Sequence, residues 1–264
     1  MEACQGVGKA FRAEQSADSL IGDAVGKSWK RSRGNYGSPR IVTDLNEQGI
    51  RCGRKRVMRS MKRMGLQGRC NRRRSPRTRT TDSVHNNRIS ANLLKHRAFP
   101  DKPRQVLVND TTYVRTDQGW HYLATVMDLC TREILGWSFS NHNDQQVVCR
   151  ALWKAADKLG PLIGEGIHHS DRGSTYTSDV YLQTLEDLKL SSSMSAKGYC
   201  YDNAHMESFF GSLKTQCAQL GEDNSPEETR LLLFDYIEGF YNTHRIHTAL
   251  GTSPRKFMQA ASGH

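Results

Sequence analysis

A chain of 264 residues, 36% hydrophobic and 25% charged, has room for one generous core plus a small module, and its composition is globular rather than disordered. Its formal net charge of +11 implies a polyanionic partner, for which nucleic acid is the commonest candidate. Seven cysteines, at 4, 52, 70, 130, 149, 200 and 217, contain no CxxC pair, which argues against a zinc finger or disulfide scaffold; no apolar run approaches the roughly 20 residues of a membrane span.

The charge is unevenly placed. Residues 1–104 carry 25 Lys/Arg against 8 Asp/Glu, a net of +17, whereas residues 105–264 carry 13 against 19, a net of −6. That division predicts a DNA-gripping segment ahead of an acidic, metal-binding core.

In chain order, residues 1–15 carry little pattern, and weak helical periodicity follows from Asp18 to Trp29. Ser38 and Pro39 read as the N-cap and first residue of a helix with Ile41, Val42 and Leu45 on one face, stopped by Gly49. A second helix, from about Arg54 to Met64, is expected to bury Val57, Met58 and Met61, with Met64 a further candidate, and to end at Gly65. Two short helices across a glycine turn predict a helix-turn-helix-like module at about 36–67, inside a helical domain of residues 1–68. Off its apolar stripe the second helix carries Arg54, Lys55, Arg56, Arg59, Lys62 and Arg63, of which Arg54, Lys55, Arg59 and Lys62 are the expected DNA contacts. Residues 69–104, with Arg72, Arg73, Arg74, Arg77 and Arg79 around Pro76, read as a basic linker.

From residue 105 the texture changes. Strands are predicted at Val106–Val114, Trp120–Met127 and Glu133–Ser140, then a helix at Gln145–Lys158, a strand at Gly166–His169, a helix at Ser178–Leu188 and a strand at Leu190–Met194. After a loop at Ala196–Asn203, helices are predicted at Ala204–Gln216 and Glu227–Asn242. Three consecutive strands followed by alternating helices and strands make an α/β mixed-sheet core over 105–264.

Three acids in that core carry the chemistry. Asp110 interrupts the apolar first strand, where an unpaired buried carboxylate costs several kcal/mol unless a cation offsets it. Asp171 ends the fourth strand, a position where α/β sheets display functional groups, and Glu207 opens a helix just before Phe209 and Phe210. Hard oxygen ligands from separate elements suit Mg²⁺ or Mn²⁺ rather than zinc. Singly each acid has a structural reading: a strand Asp paired with Arg, a turn-shaping Asp, a solvated helical Glu. Lys214 falls on the helical face of Glu207 and, with Arg172, is a candidate phosphate contact; Arg245 and His247 are weaker ones.

Jointly, 35 residues separate Asp171 from Glu207, with Asp110 upstream. This resembles the Asp-Asp-Glu signature of the retroviral integrase superfamily, and more closely the insertion-sequence transposases of the second-reading-frame type. The resemblance rests on Asp110-Thr-Thr-Tyr113, Glu133-Ile-Leu-Gly-Trp137, His169-Ser-Asp-Arg-Gly-Ser-Thr-Tyr-Thr-Ser178, Ser193-Met-Ser-Ala-Lys-Gly198 and Asp202-Asn-Ala-His-Met-Glu-Ser-Phe-Phe210. Tyr241-Asn-Thr-His-Arg-Ile-His-Thr-Ala-Leu250 and Tyr36-Gly-Ser-Pro-Arg-Ile41 extend it over about residues 18–258. It departs from the family at Leu107, where a tryptophan is common, and at Gln216, where an acid is.

The resemblance implies a ribonuclease H-like core, with Asp110, Asp171 and Glu207 holding two divalent ions and catalysing cleavage and joining at insertion-sequence ends. It further implies terminal-repeat and target DNA as partners, a homo-oligomer on DNA, and the first-frame product or a frameshift fusion with it. The implied location is the bacterial cytoplasm, on the nucleoid. Residues 1–35 hold no sustained apolar heptads, so weak sequence specificity is expected of this chain alone. Asp128 reads as structural and Asp202 as a helix N-cap. A non-catalytic DNA-binding relative and a branched-DNA nuclease of the same fold are the rival readings.

Overall fold

Five strands build one mixed sheet. β1 (Val106–Thr116), β2 (Gly119–Asp128) and β3 (Ile134–Ser140) form an antiparallel meander. β4 (Ile167–Ser170) and β5 (Ser191–Met194) add in parallel on the other side of β1, giving the order β3-β2-β1-β4-β5. The computed structural model describes residues 18–69, 89–95, 99–160, 166–195, 204–217 and 219–262, which fall into two compact units. The larger contains the sheet; the smaller takes in the described residues up to 69 together with His244–Ser253. Residues 1–15, most of the basic linker and the loop at 196–203 with Asp202 lie outside the described residues.

Helix α4 (Gln145–Leu159) covers one face of the sheet. The Asp144 side chain caps it by accepting the Val147 N–H, and Val147, Val148, Ala151, Leu152 and Ala155 are all buried, as their periodicity predicts. Its closest approach is to β3 at Gly136, where a Cβ would stand 2.1 Å from the Ala151 carbonyl oxygen. Helix α5 (Asp179–Asp187), capped by Ser178, adds Tyr181 and Leu185 to the same core.

The C-terminal half departs from expectation. One helix over Glu227–Asn242 is predicted; instead α7 (Pro226–Phe234), opened by a Ser225/Glu228 capping box, passes into a π-helical turn at Asp235–Tyr241. The wider turn buries Tyr236, Ile237, Phe240 and Tyr241 together. It also delivers Asn242, fully buried, to the edge strand: its Oδ1 accepts the Ile134 N–H at 2.9 Å and its Nδ2 donates to the Ile134 carbonyl at 3.0 Å. Around this joint Lys158 and Arg255 each bridge Glu133 and Glu238, so the last helix, α8 (Pro254–Ser262), begins tied to the sheet. At the opposite edge, described residues of the linker pack on β5: Ala91 accepts the Met194 N–H, and the Leu93 N–H reaches Ser193 Oγ.

The smaller unit is built from α1 (residues 18–31), α2 (Ser38–Glu47) and α3 (Arg54–Arg63). Gly37, not Ser38, is the N-cap of α2, which moves Pro39 to the second helical position. Gly49 and Gly65, at φ 78° and 65°, end α2 and α3 with paired backward hydrogen bonds to Leu45 and Asn46 and to Met61 and Lys62, a conformation glycine adopts without strain. Val57 and Met61 are buried as expected, but Met58 is 50% and Met64 37% exposed. The inward stripe of so short a helix runs through 57, 60 and 61, and Met58 lies one residue further round. Among the described residues of this unit the single buried acid is Asp44, held by Ser28 and Arg31.

The tail segment closes on Tyr36. Its hydroxyl donates to the His244 carbonyl at 2.7 Å and accepts the Ile246 N–H at 2.8 Å, while burial pushes its pKa up to about 12. Arg245 is 5% exposed with its guanidinium 3.1 Å from the His247 ring, so the phosphate contact expected of it is corrected to a packing role.

Candidate active site

The parallel pairing of β1 with β4 sets the site. Val106, Leu107 and Val108 face Ile167, His168 and His169 in register. Counting two residues on along each chain brings Asp110 level with Asp171, just where β4 ends. Both carboxylates are half-buried and both bend back to their own backbone: Asp110 Oδ1 accepts the Thr111 N–H at 2.8 Å, and Asp171 Oδ1 accepts the Gly173 N–H at 2.8 Å. A Cβ on Gly173 would press on that carboxylate at 3.1 Å, so a glycine keeps the turn open.

Tyr176 ties the two together. It is buried in the four-residue 3₁₀ turn Ser174–Thr177, and its hydroxyl lies 3.1 Å from Thr111 Oγ1. Burial, then the charges of Asp110 and of Asp171, hold the phenol well above its usual pKa. One hydroxyl therefore senses both acids, and the negative potential concentrated there is what a cation would neutralise. Nothing in residue spacing singles out Tyr176; the only signal is a large aromatic in the otherwise small and polar run Ser174–Ser178.

Helix α6 (Ala204–Gln216) packs against β1. Met206, Phe209, Phe210 and Leu213 are buried, with the Phe209 ring edge-on to Tyr241 at 4.7 Å. Lys214, at the C-terminal end of the helix, is close enough to Asp110 for that charge to hold its proton, while desolvation acts more strongly to lower its pKa. Glu207, half-buried in the first turn, lies two helical turns back, about 10 Å along the axis. The fold thus brings Asp110, Asp171, Tyr176 and Lys214 to one place. Among the described residues no group of three or more His, Cys, Asp or Glu is gathered as metal ligands.

Arg172 follows Asp171 but donates its Nε–H to the Ser195 carbonyl at 2.8 Å, across to the end of β5. Asp128 is a structural residue: buried at the end of β2, it accepts the Cys130 N–H and the Thr131 hydroxyl and shapes the turn into β3. In the smaller unit Arg54, Lys55, Arg59 and Lys62 are all exposed on α3, whereas Arg56 is paired with Asp18 at 2.6 Å.

A five-stranded sheet in this order, with an aspartate at the middle of β1 and another past β4, defines a ribonuclease H-like integrase core. Residues 100–200 and 188–254 match integrase core domain families, and residues 15–74 match an HTH-like domain. The chain is 42% identical to the insertion element IS600 uncharacterized 31 kDa protein of Shigella sonnei, over 87% of this chain and 83% of that protein. It is 39% identical to the transposase InsF for insertion sequence IS3A of Escherichia coli, over 92% of this chain and 82% of that one. In fold it is similar to a chain of the simian T-cell lymphotropic virus intasome in complex with PP2A regulatory subunit B56 gamma, at TM-score 0.50 and 13% identity, over 82% of this chain and 73% of that one. The chain belongs to the IS3-type insertion-sequence transposases: a DNA-binding, polynucleotidyl-transferase-type enzyme of DNA transposition. No helix among its described residues is long and apolar enough to cross a membrane.

Proposed function

We propose that Asp110, Asp171 and Glu207 are the catalytic acids and that they hold two divalent cations, Mg²⁺ or Mn²⁺. The reading is carried by Tyr176, whose hydroxyl feels Asp110 and Asp171 at once. Two carboxylates sharing one neighbourhood make a hard-oxygen donor set that suits these ions. Glu207, half-buried in the first turn of α6, completes the set.

Bound there, the ions supply Lewis acidity for an attacking hydroxyl and for the oxygen that leaves. The reaction is an exchange of phosphodiester bonds in two stages. Water adds across the bond at an element end and releases a 3′-hydroxyl; that hydroxyl then displaces the oxygen of a second phosphodiester, with no protein–DNA bond. Lys214 and Arg172 contact the phosphates beside the acids. Arg54, Lys55, Arg59 and Lys62 on α3 grip the DNA backbone, as their exposure and charge suit. The working form is a homo-oligomer on terminal repeats and target DNA, in the bacterial cytoplasm at the nucleoid, with the first-frame product or a fusion to it adding specificity. The domain division is residues 1–68, 69–104 and 105–264, the tail segment returning to the first of these.

The test is incubation with an element end and Mg²⁺, followed by assay for a nicked 3′-hydroxyl and a joined product. Asp110→Asn, Asp171→Asn and Glu207→Gln each lower both yields by about a thousandfold or more while DNA affinity holds. Near-normal Mg²⁺-dependent cleavage by any one variant removes that residue from the set.

A further inference from the structure

The β1–β2 hairpin carries a second surface that the acids do not use. Beyond Thr111, alternate residues of β1 are Tyr113 and Arg115; across the ladder Tyr113 pairs with Tyr122 and Arg115 with Trp120. Directly paired residues share a face, so these four side chains form one ridge. The other face, with Thr112, Val114, His121 and Leu123, is buried, whereas Trp120 is 54% exposed. The ridge is ordered: Tyr113 lies 5.1 Å from Tyr122 and edge-on to Trp120 at 6.1 Å, and the Arg115 guanidinium stands 5.1 Å from the Trp120 ring centroid.

An exposed tryptophan set among tyrosines and covered by a cation invites a planar, anionic occupant. Continuity says which one. Thr111 begins the ridge: its hydroxyl lies 3.1 Å from the Tyr176 hydroxyl beside the acids, while its main-chain N–H meets the Asp110 carboxylate, which by alternation stands on the other face. Four residues of strand span about 13 Å, roughly four steps of stacked DNA at about 3.4 Å each. We propose that Tyr113, Trp120 and Tyr122 form a stacking platform for unpaired nucleotides of the processed strand, some four positions from the reacting phosphate, with Arg115 neutralising the backbone. Only the direction of the strand rests on the assignment of the acids.

The experiment is fluorescence anisotropy of the full chain, without divalent metal, on a labelled element end carrying an unpaired flank and on the same end fully paired. Trp120→Ala weakens binding of the flanked DNA about tenfold or more and leaves the paired DNA within about twofold, while Trp120→Phe keeps affinity for both. Unchanged binding of the flanked DNA overturns the platform. So does an equal loss on both substrates, or a change of oligomeric mass with DNA affinity intact, which would assign the ridge to a second copy. Thermal unfolding of each variant separates misfolding from lost contact. Because no metal is present, failure here leaves the catalytic acids untouched, and failure of the acids in cleavage leaves this result standing.

Discussion

The two units use charge in opposite ways. The helical unit keeps Arg54, Lys55, Arg59 and Lys62 in solvent and buries Asp44 under two donors. The sheet unit sets Asp110, midway along β1, level with Asp171, just past the end of β4, and lays a buried hydroxyl where both charges reach it. Exposed cations act at long range through a screened field, so each contributes a little and salt erodes the sum. Carboxylates near a buried centre act by position, so one misplacement removes the function.

The acid substitutions probe the positional half of this contrast and have the largest effect. Next comes Gly136→Ala, whose added carbon collides with the α4 backbone. It is expected to cost about 3 kcal/mol or more, read from chemical denaturation, and to lower cleavage and DNA affinity together because the sheet itself loosens. A stable Gly136→Ala protein would show that α4 has room to slide.

A pH measurement sharpens the same point at the sheet centre. Burial, with repulsion from His169, lowers the pKa of His168 to about 3. The folded chain thus keeps His168 neutral, while the unfolded chain takes up its proton near pH 6.5. Stability contributed by this group is present above that pH and is lost as pH falls toward 3, by about 1.4 kcal/mol per unit. His168→Gln should flatten that part of the pH–stability curve; an unchanged slope would mean that the histidine is protonated in the fold. The smallest effect belongs to the field-like half. Arg59→Ala with Lys62→Ala should reduce the slope of log affinity against log salt by roughly 2 while the cleavage chemistry persists. An intact slope would make α3 a merely solvated face.

Much of this was legible in the chain. Runs of strand-forming residues gave β1 to β3 within two residues, and the 3.6 period of Val147, Val148, Ala151, Leu152 and Ala155 gave α4, because burial on one face imposes that spacing directly. The aspartates stood out because an acid amid strand-forming residues needs a reason. Tyr176 did not stand out, since its role depends on a register between strands some 60 residues apart. The π-helical turn was invisible because a 3.6-residue template reads straight through it, and Met58 was misjudged because a ten-residue helix leaves the angle of its stripe poorly defined. Arg245 looked like surface because arginines usually are.

The joint between Asn242 and Ile134 also bears on how these chains behave in a crowd. β3 is an outer strand reading Ile-Leu-Gly-Trp-Ser-Phe-Ser, the kind of apolar edge on which another strand can grow. A side-chain amide that occupies both hydrogen-bonding groups of Ile134 stands in for the first rung of any incoming strand. A nascent chain gains that protection only once Asn242, 108 residues beyond Ile134, has emerged, so until then its sticky edge is open to its neighbours.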